Sequence, residues 1–296
     1  MTVTWQNLAD GVALGAIFAL MAVGIGLVFG VLRLVNFAYG QLVMAGAFAL
    51  ALASQWGWPV WAGILLCFAV VIALSVAMEF LVFRPLRGHS PAVMLVATFA
   101  VAFLLENVAL LWFGALGKIA TSVSSLNRPW TLAGVEIRKI SIVAVVVAIV
   151  ALFLLDVLLR RTEIGLHMRA ASMDSATARM LGVRANRVIS VAVLVSGLLA
   201  AIVAVMLTVQ TPLVTPDFAL DDTIVVLAGV VLGGLNRPVA ATMGGFLIGF
   251  AEGLLGGALP TNQSQYLPTF IFVAVILVLL VRPRGLFDFS RTVERV

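Results

Sequence analysis

Residues 8–30 read LADGVALGAIFALMAVGIGLVFG. After Asp10 this stretch contains no charged residue, and its length is what an α-helix needs to cross the hydrocarbon core of a bilayer. Comparable stretches recur along the chain: 63% of its 296 residues are hydrophobic and 10% are charged. An ordinary soluble domain has about 25% charged residues, so soluble globular and disordered proteins are excluded. Unbroken apolar runs also disfavour a membrane β-barrel, whose strands alternate apolar and polar residues.

Apolar windows of about 20 residues predict nine membrane segments. Two of them are weak. Polar residues between Asn36 and Gln41 interrupt one, and the uninterrupted apolar part of another, Thr223 to Leu235, is about 20 Å of helix against a core of about 30 Å. The prediction is an all-α polytopic membrane helix bundle, one transmembrane domain over residues 1–296, with eight or nine membrane segments, one or two of them discontinuous. The segments are 8–30, 36–54, 60–83, 91–115, 140–159, 188–209, 218–235, 239–257 and 266–281.

The distribution of basic residues predicts the orientation, because loops rich in Lys and Arg stay on the cytoplasmic side. When alternate loops are grouped, one side carries 14 Lys and Arg residues and the other carries 4. The first group contains the loop at 160–187 and the C-terminus, which are therefore predicted to be cytoplasmic. Residues 1–10 have no basic residue and no small-residue cleavage site, so no cleaved signal peptide is expected.

The sequence lacks the motifs of an enzyme. There is no phosphate-binding G-x-x-x-x-G-K-[ST] loop, so the chain should not hydrolyse ATP by itself. Motifs of serine hydrolases and zinc proteases are also absent. Cys67 is the one cysteine, and the two histidines, His89 and His167, fall in predicted polar loops. No catalytic residue, metal site or cofactor is therefore predicted.

Few polar residues interrupt the membrane segments. Glu106 and Asn107 lie deep in the fourth segment, and Glu252 lies in the eighth. Such residues are costly in hydrocarbon unless they face a cavity, a bundle interior or a partner. They are either part of a substrate or ion pathway or hydrogen-bonding residues that fix helix packing; the sequence leaves both readings open.

The loop at 160–187 contains a predicted helix of about 15 residues, which ends at Gly182. Ala170, Met173, Thr177 and Met180 recur on one face of that helix. The helix is too short to span a membrane. It either docks in a groove of another protein, which small and Met-rich contact residues suit, or remains a solvated or interfacial helix.

Several fragments, taken in their order and spacing, carry a specific pattern: residues 14–20, 29–31, 36–40, 44, 46, 47, 84–87, 97–107, 169–170, 174, 178, 181–183, 231–234 and 282–287. In these fragments the chain resembles the permease subunits of branched-chain amino acid ABC importers, the Liv-type permeases, and specifically the shorter of the two paired subunits. Tyr39 stands where the family usually has histidine, and Asn236-Arg237-Pro238 stands where it usually has small residues. The resemblance implies a location in a bacterial inner (plasma) membrane.

The resemblance implies that the helix at 160–187 fits a cleft on an ATP-binding subunit and transmits its closure to the membrane helices. It also implies a second permease subunit and an extracytoplasmic substrate-binding protein as partners, beside the lipid bilayer; no nucleic acid is expected. The coupling positions carried over are Arg169, Asp174, Ala178 and Gly182. The channel is expected at the interface with the second subunit, and its candidate lining residues are Asn36, Tyr39, Glu106, Asn107 and Glu252.

Three functions remain open from the residues alone. The resemblance favours a permease subunit of a binding-protein-dependent ABC importer, powered by ATP hydrolysis in a partner. An ion-gradient-driven secondary transporter of a small polar solute would use Glu106 or Glu252 as its ion site. A non-transport subunit of a larger complex is the third. Family members take up branched-chain amino acids, and relatives take other amino acids, urea or small aromatic acids; the sequence does not decide among these substrates.

Overall fold

The computed structural model describes residues 5–32, 35–121, 129–132, 135–173, 175–234, 238–259, 266–282 and 285–287. Most of these residues are helical, which confirms the predicted all-α bundle. The helices are α1 (Trp5–Leu32), α2 (Tyr39–Gln55), α3 (Val60–Met78), α4 (Pro91–Phe113), α5 (Lys139–Arg161), α6 (Glu163–Met173), α7 (Ser175–Met180), α8 (Ala185–Gln210), α9 (Leu220–Gly233), α10 (Pro238–Ala258) and α11 (Leu267–Val281).

Each of the nine predicted segments forms a helix, but the helices differ in length. Six described helices are long and apolar enough to cross a membrane: α1, α3 with its continuation to Leu86, α4, α5, α8 and α10. The others, α2, α9 and α11, have 17, 14 and 15 residues. At 1.5 Å per residue α9 is about 21 Å long, too short for a core of about 30 Å. The number of spans, eight or nine, therefore stays a prediction.

Helices α1 and α10 pack against each other over most of their lengths. Glycines on α10 recur every four residues, at 245, 249, 253 and 257. A Cβ added to Gly249 would lie 2.8 Å from the carbonyl oxygen of Leu14, and one added to Gly253 would lie 2.6 Å from the Cα of Gly11. These distances leave no room for a side chain. The glycines therefore serve close contact between two backbones, as in other membrane bundles.

Helix α2 begins inside the bundle. The Tyr39 ring lies against Gly24 of α1, where a Cβ would be 2.7 Å from a ring carbon. Gly24 precedes the end of α1 at Leu32 by eight residues, which is about 12 Å along the helix axis. Residues 35–38, directly before α2, are not helical, and the Thr98 hydroxyl of α4 donates to the carbonyl of Val35 at 3.4 Å. The polar interruption predicted from Asn36 to Gln41 therefore lies inside the bundle.

The first turns of α2 and α9 meet in the interior. Gly40 lies against Thr223 and against the Ala219 carbonyl oxygen, which would be 2.8 Å from an added Cβ. The Thr223 hydroxyl donates to the same carbonyl at 2.6 Å. Two short helices thus begin at one place in the interior, and their first turns pack against each other through Gly40 and Thr223.

Helix α3 ends in a π-helical turn, Glu79–Phe83, followed by the helical residues Arg84–Leu86. Pro85 lacks an N–H and would clash with the carbonyl four residues earlier in a regular α-helix, so the wider π-turn accommodates it. Beyond it, Arg87 pairs with the buried Glu79, which also accepts a hydrogen bond from the Ser190 hydroxyl at 2.6 Å. This network fixes the end of α3 to α8.

Within the described residues, four short strands form two antiparallel pairs that the apolar windows did not predict. Strand β1 (Lys118–Ile119) pairs with β4 (Leu213–Val214), with Lys118 opposite Val214. Strands β2 (Pro129–Leu132) and β3 (Val135–Arg138) form the second pair. The β1–β4 pair joins the connection after α4 to the connection after α8. Each strand has two to four residues, which is too short for a hydropathy window of about 20 residues to detect.

Candidate functional site

The connection between α5 and α8, residues 162–183, folds as the helices α6 and α7 and is called the α6–α7 segment below. It joins α5 through a tight turn. The Thr162 hydroxyl accepts a hydrogen bond from the Gly165 N–H at 3.1 Å and donates to the Leu158 carbonyl at 2.6 Å. Thr162 therefore acts as the N-cap of α6. Gly165 lies so close to the carbonyl oxygens of Leu158 and Leu159 that a Cβ has no room.

The other end of the α6–α7 segment is closed at Gly182, as the sequence predicts. Gly182 adopts φ +86°. The Val183 N–H donates to the Ala178 carbonyl at 3.0 Å, and the Leu181 N–H donates to the Thr177 carbonyl at 3.1 Å. The left-handed glycine with a bond spanning five residues is a Schellman-type C-cap. The segment is thus anchored to α5 at one end and turned sharply toward α8 at the other.

The side chains of the α6–α7 segment divide into an inner and an outer face. Ala178 points into the bundle and is 4% exposed, and Met168 and Ala171 are also buried. Met180 and Leu181 are 83% and 79% exposed at the end of α7. Of the other predicted coupling positions, Arg169 is exposed. Asp174 lies outside the described residues. The outer face therefore presents two large apolar side chains beside the Gly182 turn.

Three of the five predicted pathway residues lie around the first turn of α2. Asn36 is buried, and its side-chain oxygen accepts the Ala38 N–H at 3.1 Å. Tyr39 is fully buried, and its hydroxyl has no hydrogen-bond partner among the described residues. Glu106 of α4 faces Gln41, whose amide donates to it at 3.5 Å. Polar side chains therefore surround the first turn of α2.

Gln41 is a site residue that the sequence analysis did not select. Its side chain is buried, and its carbonyl oxygen has no hydrogen-bond partner among the described residues. The signal was available, since Gln41 ends the polar break that begins at Asn36. Asn107 differs from its neighbour Glu106: its amide donates to the Phe103 carbonyl of its own helix at 2.7 Å.

Glu252 of α10 lies near the first turn of α9. Its carboxylate is close enough to Asp222 for the two to interact electrostatically, and one of its oxygens is buried without a hydrogen-bond partner among the described residues. Asp222 is adjacent to Thr223, which packs on Gly40. The first turns of α2 and α9 therefore bring the polar side chains around the start of α2 and the carboxylates of Asp222 and Glu252 into one region. We call it the polar layer: Asn36, Tyr39, Gln41, Glu106, Asp222 and Glu252.

Comparison with known proteins gives the family. The family model described as "Branched-chain amino acid transport system / permease component" matches residues 7–281. The chain belongs to this family. BraD, a permease protein of a high-affinity branched-chain amino acid transport system in Pseudomonas aeruginosa, is 30% identical over 293 residues, which is 95% of this chain and 94% of BraD. LivH of Escherichia coli K12 is 27% identical over 295 residues, with the same coverage of both chains.

Solved structures support the fold of this branched-chain amino acid permease family member. A chain of an ABC transporter in an inward-facing conformation has a TM-score of 0.52 at 18% identity, covering 95% of this chain and 87% of that one. PsaBC of Streptococcus pneumoniae has a TM-score of 0.51 at 13% identity, with 95% and 94% covered. The family resemblance predicted from the sequence is confirmed, and the chain is a multi-pass membrane permease component of a transport system.

Proposed function

We propose that this permease works as one subunit of a branched-chain amino acid importer and is driven by ATP hydrolysis in partner subunits that dock on the α6–α7 segment. The observation that carries the proposal is the geometry of that segment. It is tied to α5 by the Thr162 cap and by the close approach at Gly165, and it presents Met180 and Leu181 outward. Exposed methionine and leucine side chains suit a groove on a partner.

The two ends of the segment explain how work reaches the membrane. Because the backbone of Gly165 lies in close contact with the carbonyl groups at the end of α5, a displacement of α6 is transmitted to α5. At the other end, Gly182 redirects the chain into α8, whose Ser196 hydroxyl donates to the Gly24 carbonyl of α1 at 2.7 Å. A partner with different affinities for two positions of the segment would bias two states of the bundle.

The proposal includes the orientation and the other partners. The excess of basic residues on the side of the α6–α7 segment supports a cytoplasmic location for that segment and for the C-terminus. The chain would act as a single transmembrane domain in a bacterial inner membrane. It would pair with a second permease subunit and receive substrate from an extracytoplasmic binding protein, as the family resemblance implies.

The polar layer is the proposed substrate pathway. The helix dipoles give a partial positive charge at the starts of α2 and α9, which suits the carboxylate of an amino acid. Glu106 and Glu252 suit its ammonium group. The helix faces around the polar layer are apolar, which suits the apolar side chain of a branched-chain amino acid. In this proposal Gln41 and Asp222 join the five predicted lining residues.

Energisation of uptake tests the proposal. Proteoliposomes with both permease subunits, the ATP-binding subunits and the binding protein should take up radiolabelled leucine only with ATP on the side of the ATP-binding subunits. Ionophores should leave that uptake unchanged. Leucine uptake that continues without ATP and stops with an ionophore would contradict the proposal and favour a secondary transporter, in which Glu106→Gln should also abolish uptake.

Docking is tested separately with exposed apolar residues. Met180→Ser combined with Leu181→Ser should reduce the ATP-binding subunits that co-purify with the permease. Leu116→Ser is the matched control, since Leu116 is 92% exposed in the connection after α4. Equal recovery of ATP-binding subunits with the double variant and the control would place the docking surface elsewhere.

A further inference from the structure

A groove opens between α1, α5, α6 and α10 beside the start of the α6–α7 segment. Its cavity volume is about 280 Å³. We call it the α1–α5 groove. Most of its lining is apolar. The lining residues are Gly26, Leu27, Gly30, Val31, Asp156, Leu159, Arg160, Met168, Arg169, Ser172, Pro238 and Val239.

The floor of the groove is closed and apolar, while one wall is open. Leu27 and Met168 are buried beneath it. The wall is open at Gly30, because a Cβ built on this residue would meet nothing within 4 Å. Glycine here is therefore not required by helix packing, in contrast to the glycines of α10. The space beside Gly30 is free to hold a chain of methylene groups.

The mouth of the groove is cationic. Arg160, in the last turn of α5, and Arg169 of α6 both line it and are exposed. Asp156 lies one turn before Arg160 and accepts its Nε–H at 2.7 Å. That bond engages one edge of the Arg160 guanidinium. Arg169 has no salt bridge within the part of the chain that the structure describes. The mouth therefore keeps an excess of one positive charge.

The groove is continuous with the surface that faces lipid. On α5 the side chains that precede it, Phe153, Leu154 and Val157, are exposed and apolar. Both α1 and α5 end within a turn or two of the groove, at Leu32 and Arg161, so the mouth lies where hydrocarbon gives way to headgroups. Arginine at this depth reaches toward the interface, where it bonds phosphate through two N–H groups.

We propose that the α1–α5 groove binds one anionic phospholipid, with an acyl chain beside Gly30 and its phosphate between Arg160 and Arg169. Two features favour a lipid over a protein segment: the apolar channel opens toward the bilayer, and Arg160 and Arg169, the arginines of its described lining, both stand at the headgroup end. Basic pockets between membrane helices bind anionic headgroups in the same way. The bound lipid would contact α1, α5 and α6 together and hold α6 against α5.

Lipid retention in the purified importer tests this proposal. The assembled complex, in nanodiscs of equal parts phosphatidylglycerol and phosphatidylcholine, is released into the gas phase, and native mass spectrometry counts the bound lipids. The wild type should retain one phosphatidylglycerol for each copy of this chain. Gly30→Leu, which fills the groove without a clash, should abolish that retention. Gly256→Leu is the control, because Gly256 also lies within a helix and a Cβ added there makes only an ordinary contact, at 3.5 Å.

A second set of variants tests the headgroup. Arg160→Gln and Arg169→Gln should each weaken phosphatidylglycerol retention about fivefold, the effect of removing one basic residue near anionic lipid. Arg184→Gln, an exposed arginine outside the groove, should leave it unchanged. Equal retention in the wild type and Gly30→Leu would overturn the proposal. Loss of the ATP-binding subunits from Gly30→Leu with lipid retention unchanged would also overturn it, since the groove would then bind protein.

Discussion

Replacing Gly165 by alanine is expected to uncouple ATP hydrolysis from transport. A Cβ at this position would collide with the carbonyl oxygens of Leu158 and Leu159 in the last turns of α5. Both obstacles are backbone atoms, so a side-chain rotation cannot relieve the collision. The turn between α5 and α6 must open, and α6 must move away from the end of α5.

The magnitude follows from two opposed terms. Overpacking a closed site costs about 1–3 kcal/mol, whereas alanine gains about 0.5–1 kcal/mol over glycine in a helix. Their difference is about 0–2.5 kcal/mol, and a value in the middle of that range, about 1.2 kcal/mol, changes the ratio of the attached and detached arrangements of α6 by roughly eightfold. Because this contact transmits movement from the α6–α7 segment to α5, leucine transported per ATP hydrolysed should fall by a similar factor.

The assay compares leucine uptake with phosphate release in the same proteoliposomes. Gly165→Ala should hydrolyse ATP at a rate near that of the wild type and transport several times less leucine per ATP. The ATP-binding subunits should still co-purify, because Met180 and Leu181 are untouched. Gly256→Ala, with space for its methyl group, should behave as the wild type. A Gly165→Ala importer with the wild-type ratio of transport to hydrolysis would refute the role given to this turn.

Two further predictions concern stability, and both are measured as thermal unfolding of the purified complex. Glu79→Gln should destabilise the complex by about 3 kcal/mol or more, because the guanidinium of Arg87, which is 12% exposed, then loses its buried carboxylate partner. Asp156→Asn is the control: it breaks an exposed ion pair and should cost at most about 1 kcal/mol. Equal shifts for these two variants would count against a buried network. Gly40→Ala should cost about 1–3 kcal/mol of stability, since its methyl group would push apart the first turns of α2 and α9. Gly26→Ala is the control, because its methyl group makes only an ordinary contact, at 3.4 Å. An unfolding temperature for Gly40→Ala as high as that of Gly26→Ala would show that those turns do not meet.

The sequence predicts the helices well because a helix that crosses a membrane must be a long, continuous apolar stretch, which hydropathy windows detect. The window at 91–115 became Pro91–Phe113, and that at 140–159 became Lys139–Arg161. It also predicts the stop at Gly182, which depends on a local backbone conformation. Polarity alone likewise marked the break near Asn36 as a place where a helix is interrupted.

What the sequence does not predict depends on contacts between distant segments. The depth at which α2 begins is set by Tyr39 packing on Gly24, and hydropathy contains no information on that pairing. The approach of Asp222 to Glu252 is of the same kind. The family resemblance marked Ala178 as a coupling position, yet neither it nor the helical periodicity of this loop showed that Ala178 is buried. The short β1–β4 pair escapes detection because two residues per strand leave no periodic signal.

Cross-linking at Leu181 tests the central claim most directly, that an ATP-binding subunit docks on the α6–α7 segment. The chain suits the experiment, since its one cysteine, Cys67, is buried. In the assembled importer Leu181→Cys, treated with a short thiol-to-amine cross-linker, should form a covalent product with the ATP-binding subunit. Leu116→Cys, equally exposed in another connection, should not. A product from Leu116→Cys and none from Leu181→Cys would contradict the claim.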